Sequence, residues 1–476
     1  MGQLHFELPG NGRLPEAFEA AAYLTNAEGI PWRTRCSVEE SLLTADRPGE
    51  ESSQIHCPWN TKLGRLMLSS TTLMQRPQPY RLSVELARGV LHRTRTYLAA
   101  GEAARAAFSD EVYNLSGEAA ATFVRAVTAA DANERETAAA EAIEQGLAAG
   151  RLLTQQYARH VLHCRTRDGQ KLNLPYAVDL GEVVPDAATA TRLAEAFNTV
   201  SVPLTWSAVS DDEGTYRWDR FDRQVQAARQ AGLRVCLGPL LALDKRSVPD
   251  WLCLWEGDLE ALEQSVGQYV EAVVRRYQKH VAVWHVAGRL NVHNSLSLNE
   301  EDVLRLALAA TAAVRRIDSR TPTLVSLDQP WAEYLARQGG DLSPLHLADW
   351  LARSEVGVSG IGIEIDFEWG GSAPRDLLET SLLLDRWSLL GKPLVVFVSL
   401  RGSAEGEDSA GYAWQAAAAD DLLSLLISRP AVQAVIWNQL ADTAGARLPH
   451  AGLLDSQGRA KPAYGRISAL RKQFIV

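Results

Sequence analysis

Over roughly the last 300 residues, short apolar runs alternate with longer amphipathic stretches. The runs are PYAVDLG, NTVSVPLTW, LRVCLGPLLAL, HVAVWHVAG, TPTLVSLD, GVSGIGIEIDF, KPLVVFVSL and VQAVIWNQL, eight in all. Between them lie segments such as WDRFDRQVQAARQAG, LEALEQSVGQYVEAVVRRYQ and EEDVLRLALAATAAVRRID, whose apolar positions recur with the helical period. Strands that are apolar throughout are buried on both faces, which parallel strands covered by helices achieve. Eight such units predict an α/β fold, a closed (β/α)8 TIM-type barrel over residues 169–476. An open doubly wound sheet is the rival, weakened because no G-x-G-x-x-G or Walker-type loop follows any strand.

The pattern before the barrel is different. Residues 1–78 hold short, partly alternating segments, among them WRTRCSVEESLL and GRLMLSSTTLM, broken by the turn-forming RPGEE and NTKLG, which predicts a small antiparallel β element. Residues 79–168 are rich in Ala, Glu, Arg and Leu, with Leu153, Tyr157 and Val161 spaced for one helix face. Asp131 and Asn133 are candidate caps for the helix that follows, so this part is expected as a helical hairpin or small bundle.

Composition narrows the function classes. With 46% hydrophobic and 22% charged residues the chain is of globular type, and its net charge of −10 offers no broad basic face for nucleic acid or an acidic membrane surface. No run of about 20 apolar residues is present to span a bilayer. MGQLHFELPGNGRLPEAFEAAAY lacks the plan of a secretory signal, so a cytoplasmic protein is expected. The five cysteines are scattered without a C-x-x-C pair and read as buried thiols in a reducing compartment. No cofactor is expected, and no metal: His285 and His293 have no third ligand nearby, and His285 reads as a hydrogen-bonded core histidine.

In a barrel of this kind the site lies where the strands end. The exits give Asp179 after strand 1, Trp206 after strand 2, Asp244 and Lys245 after strand 3, and Arg289, Asn291 and His293 after strand 4. Strand 5 gives Asp328 and Gln329, strand 6 Glu364, Asp366 and Glu368, strand 7 Ser399 and Arg401, and strand 8 Asn438, Gln439 and Asp442. Eleven of the 13 tryptophans belong to the barrel region, and Trp206, Trp251, Trp331, Trp369 and Trp437 fall near strand exits, where flat rings suit sugar stacking.

Several of these segments together resemble glycoside hydrolase family 10, the retaining endo-xylanases. FNTVSVPLTW with GTYRWDRFDRQVQAARQAGLRVCLGPLL is similar to the family's second strand, helix and third strand, and PDWL to the P-x-W beyond it. YVEAVVRRYQKHVAVWHVAG resembles the approach to W-D-V-x-N-E, GIGIEID the G-I-G-x-Q-x-H strand, and LLGKPLVVFVSL the strand of the T-E-L-D nucleophile. VQAVIWNQLADTAG and GLLDSQGRAKPAYGRI resemble the family's ending. The resemblance implies a carbohydrate partner bound at the barrel mouth.

It also implies a loss. Family members use two glutamates about 5 to 5.5 Å apart, one acid/base and one nucleophile. The acid/base position falls on Arg289 and the nucleophile position on Val398, or on Ser399 with a one-residue slip. An arginine stays protonated and a valine cannot attack carbon. The strand-3 histidine falls on Pro239, and a Trp and His further on fall on Leu243 and Asp244. Glu364 and Asp366, two apart and so on one strand face, with Asp328 from the neighbouring strand, are the candidate displaced catalytic acids. Alternatively Glu364 pairs with Arg289 or Arg401 as a structural ion pair, and the barrel is a non-catalytic pseudo-enzyme that binds glycan or protein. Arg289, Asn291, His293, Trp206, Arg401, Trp437, Asn438 and Asp442 are the candidate substrate-binding residues, the arginines and histidine suiting an anionic oligo- or polysaccharide.

Overall fold

The computed structural model describes every residue except 1, 11–13, 17, 293, 339, 341, 367–372, 403–408, 444, 445 and 447. The chain separates into two compact units, 1–161 with 331–343 and 367–386, and 162–330 with 344–366 and 387–476. No helix among the described residues is long and apolar enough to cross a membrane.

The first unit holds strands β1 (Gly2–Glu7), β2 (Tyr23–Thr25), β3 (Arg35–Glu39), β4 (Leu42–Arg47), β5 (Gln54–Thr61), β6 (Gly64–Ser69) and β7 (Tyr80–Arg81). They form two sheets, β3-β4-β1-β7 and β2-β5-β6. All pairs are antiparallel except β1 with β7. The alternation in β1 buries Leu4 and Phe6 while Gln3 and Glu7 stay exposed, the pattern of a strand with one wet face. Three helices follow, Leu82–Ala103, Asp110–Thr128 and Ala132–Arg165, where a hairpin or small bundle was expected. Asp131 Oδ1 accepts the Glu134 N–H at 2.8 Å and caps the third, whereas Asn133 lies inside its first turn. Arg375 and Glu333, both 1% exposed, pair at 3.0 Å, and Arg375 also donates to Tyr23 Oη at 2.8 Å, tying the segments 367–386 and 331–343 to β2.

The second unit is the predicted barrel. Strands β8 (Tyr176–Asp179), β9 (Thr199–Val202), β10 (Arg234–Leu237), β11 (Val283–Gly288), β12 (Thr323–Asp328), β13 (Gly360–Asp366), β14 (Leu394–Ser399) and β15 (Val432–Trp437) close in sequence order, all pairs parallel. Closure rules out the open sheet. Asp186, Asp258 and Asn299 cap the helices that begin at Ala187, Leu259 and Glu300, each accepting a main-chain N–H three residues on. Of the cysteines, Cys57 and Cys236 are buried as expected and Cys36 is half-buried, but Cys164 and Cys253 are exposed.

The barrel interior changes character along its axis. Ala177, Cys236, Leu324, Val395, Phe397, Ala434 and Ile436 make one apolar cluster, with Val283 packed against it. Register neighbours share a face, so the interior positions nearer the strand ends are Asp179 beside Ser201, Asp328 beside Glu364, and Asp366 beside Ser399. The inner wall is therefore apolar at one end and acidic at the other. Gly362 is required between them: a Cβ there would come within 2.5 Å of the Ser326 Cβ.

Candidate functional site

The acids of β12 and β13 converge. Asp328, Glu364 and Asp366 are 2%, 2% and 5% exposed, and a carboxylate oxygen from each lies within 4.8 Å of the others. Register explains this, since Asp328 pairs with Glu364 across the ladder and Asp366 follows on the same face. Among the described residues this is the one group of three side chains able to share a cation. A protein cation already stands beside it. Arg289 Nη1 reaches Glu364 Oε2 at 3.4 Å, and its Nη2 lies 3.9 Å from Asp244 Oδ2.

Two local features aim that arginine. The ladder between β11 and β12 shifts register at His285/Ala287, a bulge that turns the strand end. Arg289 itself adopts φ +58°, a left-handed backbone that costs a non-glycine residue about 1–2 kcal/mol and is tolerated only where the surroundings impose it. The sequence reading of Glu364 as a possible partner of Arg289 thus describes the geometry found.

Below Glu364 runs a buried polar chain that the sequence reading did not assemble. The Ser326 hydroxyl donates to Glu364 Oε1 at 2.6 Å, so its oxygen accepts from His285 Nε2 at 2.9 Å. His285 is 2% exposed, the hydrogen-bonded core histidine expected, and burial lowers its pKa to about 4, leaving the ring neutral. The signal was available in principle: Ser326 and His285 sit on strands one apart, each facing inward by alternation.

The remaining candidates divide. Asn291 spends both ends of its amide on the Asp328 backbone, donating to the carbonyl at 2.8 Å and accepting the N–H at 3.0 Å, and so fixes the exit of β12. Asn438 Nδ2 donates to Asp366 Oδ1 at 3.0 Å and to Ser399 Oγ at 3.2 Å, which places it in the acid cluster. Asp442 is committed elsewhere, to the buried Lys461 ammonium, Gln439 Nε2 at 3.0 Å and the Gly452 N–H at 2.8 Å. Arg401 is half-buried just beyond β14. His293, Glu368 and Trp369 lie outside the described residues.

Among the described residues, two of the candidate stacking tryptophans, Trp206 and Trp437, are buried. Trp206 is 3% exposed, stacked on Tyr269 at 4.6 Å with Trp251 edge-on at 5.5 Å. Trp437 is 2% exposed and donates its Nε1–H to Ala451 O at 3.0 Å. Trp331 lies under the Arg375 guanidinium at 5.2 Å. Trp437 ends an apolar strand, whereas Trp206 opens the short helix Trp206–Val209 and owes its burial to Tyr269.

Residues 167–299, which span β8 to β11, match the model of glycosyl hydrolase family 10. Among solved structures, xylanase 10B from Thermotoga maritima aligns at 17% identity over 63% of this chain and 95% of its own, with a TM-score of 0.52. Xylanase 10B from Thermotoga petrophila RKU-1, solved in complex with xylobiose, aligns at 16% identity over 65% of this chain and 96% of its own, with a TM-score of 0.51. At such identity the structural likeness speaks for the fold. None of the curated proteins matches the chain. The resemblance to family 10 expected from the motifs is thus present in both the family model and the barrel.

Proposed function

We propose that the barrel mouth acts on a carbohydrate through a displaced acid set, Glu364 with Asp366 and Asp328, in place of the family's glutamate pair. The observation that carries this is the convergence of three buried carboxylates within 4.8 Å. Burying like charges together is costly, and such clusters persist where proton chemistry or ligand charge uses them. Arg289 follows β11, where the resemblance implies the acid/base, and Val398, or Ser399 with a one-residue slip, lies on β14, where it implies the nucleophile; an arginine does not give up its proton and neither of the other two is a carboxylate. A xylan-like β-linked oligosaccharide is the substrate class that the xylanase neighbours support, with the half-buried Arg289 as the group that would contact an anionic one.

The test compares wild type with Glu364→Gln and Asp366→Asn on a panel of β-linked and anionic oligosaccharides. Turnover by wild type that either substitution abolishes is the expected result. Binding without turnover, kept in both variants, refutes hydrolysis and leaves the second reading, a non-catalytic glycan-binding or scaffold barrel. That reading is favoured by one observation, the 3.4 Å contact by which Arg289 already pairs with Glu364.

A further inference from the structure

The barrel has a second opening, at the end where its strands begin. A cavity of about 670 Å³ lies there, lined wholly by residues of the second unit. Val283, Leu324, Val395 and Ala434, from the apolar end of the inner wall, make its floor. One inward layer further along β11 and β14, the rings of His285 and Phe397 pack with centroids 5.0 Å apart. Neither they nor Asp328, Glu364 and Asp366 line the cavity, so it is separate from the acid cluster. Its rim is stiff. Pro175, Pro322 and Pro393 each stand one residue before a strand, and Pro430 stands two before β15. Their rings fix φ, and three of their carbonyls are held by neighbouring strands: Pro175 O by the Val435 N–H at 3.0 Å, Pro322 O by Trp284 at 2.9 Å and Pro393 O by Ile361 at 3.0 Å. A preformed, mostly apolar cavity of this size suits a small ligand that is mostly hydrocarbon.

The charge around the opening is one-sided. Lys392 is the one charged residue that lines the cavity and no carboxylate does, although the chain carries a net charge of −10. Lys392 is half-buried, and one of its three N–H donors goes to Val358 O at 3.3 Å. Other polar side chains of the lining are engaged within the protein. Arg315 Nη2, from behind the wall, donates to Thr323 Oγ1 at 2.9 Å and Ser359 Oγ at 2.8 Å, and Gln433 Nε2 donates to Pro430 O at 2.7 Å. The result is an ammonium at the edge of an apolar bowl. We propose that this cavity is a binding site for a monocarboxylate with an aliphatic tail, a medium-chain fatty acid in class, with the tail on Val283, Leu324, Val395 and Ala434 and the carboxylate on Lys392 Nζ. A neutral ligand gives the ammonium no counter-charge, and a dianion brings more charge than one lysine matches. Burial of the tail supplies most of the affinity and the charge-assisted hydrogen bond selects the acid. The site stands independently of any chemistry at the opposite end of the barrel.

The experiment titrates the full chain at pH 7.5 with octanoate, decanoate, dodecanoate and dodecanol, by calorimetry below the micellar range. Wild type is expected to bind one dodecanoate per chain, with affinity rising about 4-fold for each methylene buried along the series. Lys392→Gln is expected to weaken dodecanoate about 10-fold and dodecanol less than about 2-fold. Ala434→Leu, which fills the floor, is expected to weaken both about 10-fold or more, and Val283→Phe fills the same space from β11 if Ala434→Leu folds poorly. No binding by wild type, or binding that both filled variants keep, overturns the site. Equal affinity for acid and alcohol, unmoved by Lys392→Gln, overturns the carboxylate. A wild-type dimer in sedimentation that Ala434→Leu or Val283→Phe dissociates overturns the proposal in favour of a second copy of the chain as the occupant.

Discussion

The Arg289–Glu364 contact sets what the mouth can do, and a double-mutant cycle measures it. At 3.4 Å and an effective dielectric of about 20 the gross attraction is about 5 kcal/mol. Desolvation offsets much of it, since Glu364 is 2% exposed and Arg289 20%. Arg289→Met removes the guanidinium from a buried carboxyl that keeps its bond from Ser326, and costs about 2–4 kcal/mol, toward the low side of the range for a fully buried pair because water reaches the arginine side. Glu364→Gln keeps an acceptor for Ser326 and costs about 1 kcal/mol. The left-handed backbone at residue 289 is equally strained with Met, so it cancels in the cycle. The four proteins, unfolded in urea at pH 7 and compared where m is unchanged, are expected to give a coupling of about 2 kcal/mol, persisting in 1 M salt. A coupling below about 0.5 kcal/mol refutes the pair and makes Arg289 a solvent-facing, ligand-ready guanidinium.

Three further outcomes follow from the same structure. Asp179 is raised from 3.8 to about 6 in the folded protein, so its share of stability is present below about pH 4 and is lost as pH rises to 6, on the order of 3 kcal/mol; Asp179→Asn removes that slope in urea unfolding across pH 4–7. His285 is lowered from 6.5 to about 4, so the opposite slope, stability lost as pH falls from 6.5 to 4, disappears in His285→Gln, whose amide still donates to Ser326, and its persistence there would place the titration elsewhere. Arg375→Met, which takes the 3.0 Å cation from a Glu333 carboxyl 1% exposed, costs about 3–5 kcal/mol, read as a lowered urea midpoint that Glu333→Gln in the same chain largely restores.

The barrel was legible because its strands are apolar throughout and its helices periodic, two patterns that chain order alone turns into a closed parallel sheet. The trio Asp328, Glu364 and Asp366 was legible for a related reason, since a strand period of two assigns residues to one face without knowing what covers it. Side chains whose role depends on a partner distant in sequence were harder to place. Asp442 stood at a strand exit like the other candidates, but the lysine that takes it up is Lys461, 19 residues on, in a segment that read only as a family ending. Trp206 likewise followed a strand, and its burial against Tyr269 depends on a helix 63 residues away.

The same logic separates what can be lost from what can be moved in such a barrel. Eight strands repeat one geometry, so an acid pair needs a given arc between two strands and no particular two strands to supply it. The charge of the arginine that follows β11 acts on the carboxylates near it, whichever strand supplies them. Here it reaches Asp244 and Glu364 and lowers the proton affinity of Asp179, while burial raises it. Asp179 keeps its proton up to about pH 6 because burial outweighs Arg289, and the urea-unfolding slope that Asp179→Asn removes reads that balance directly.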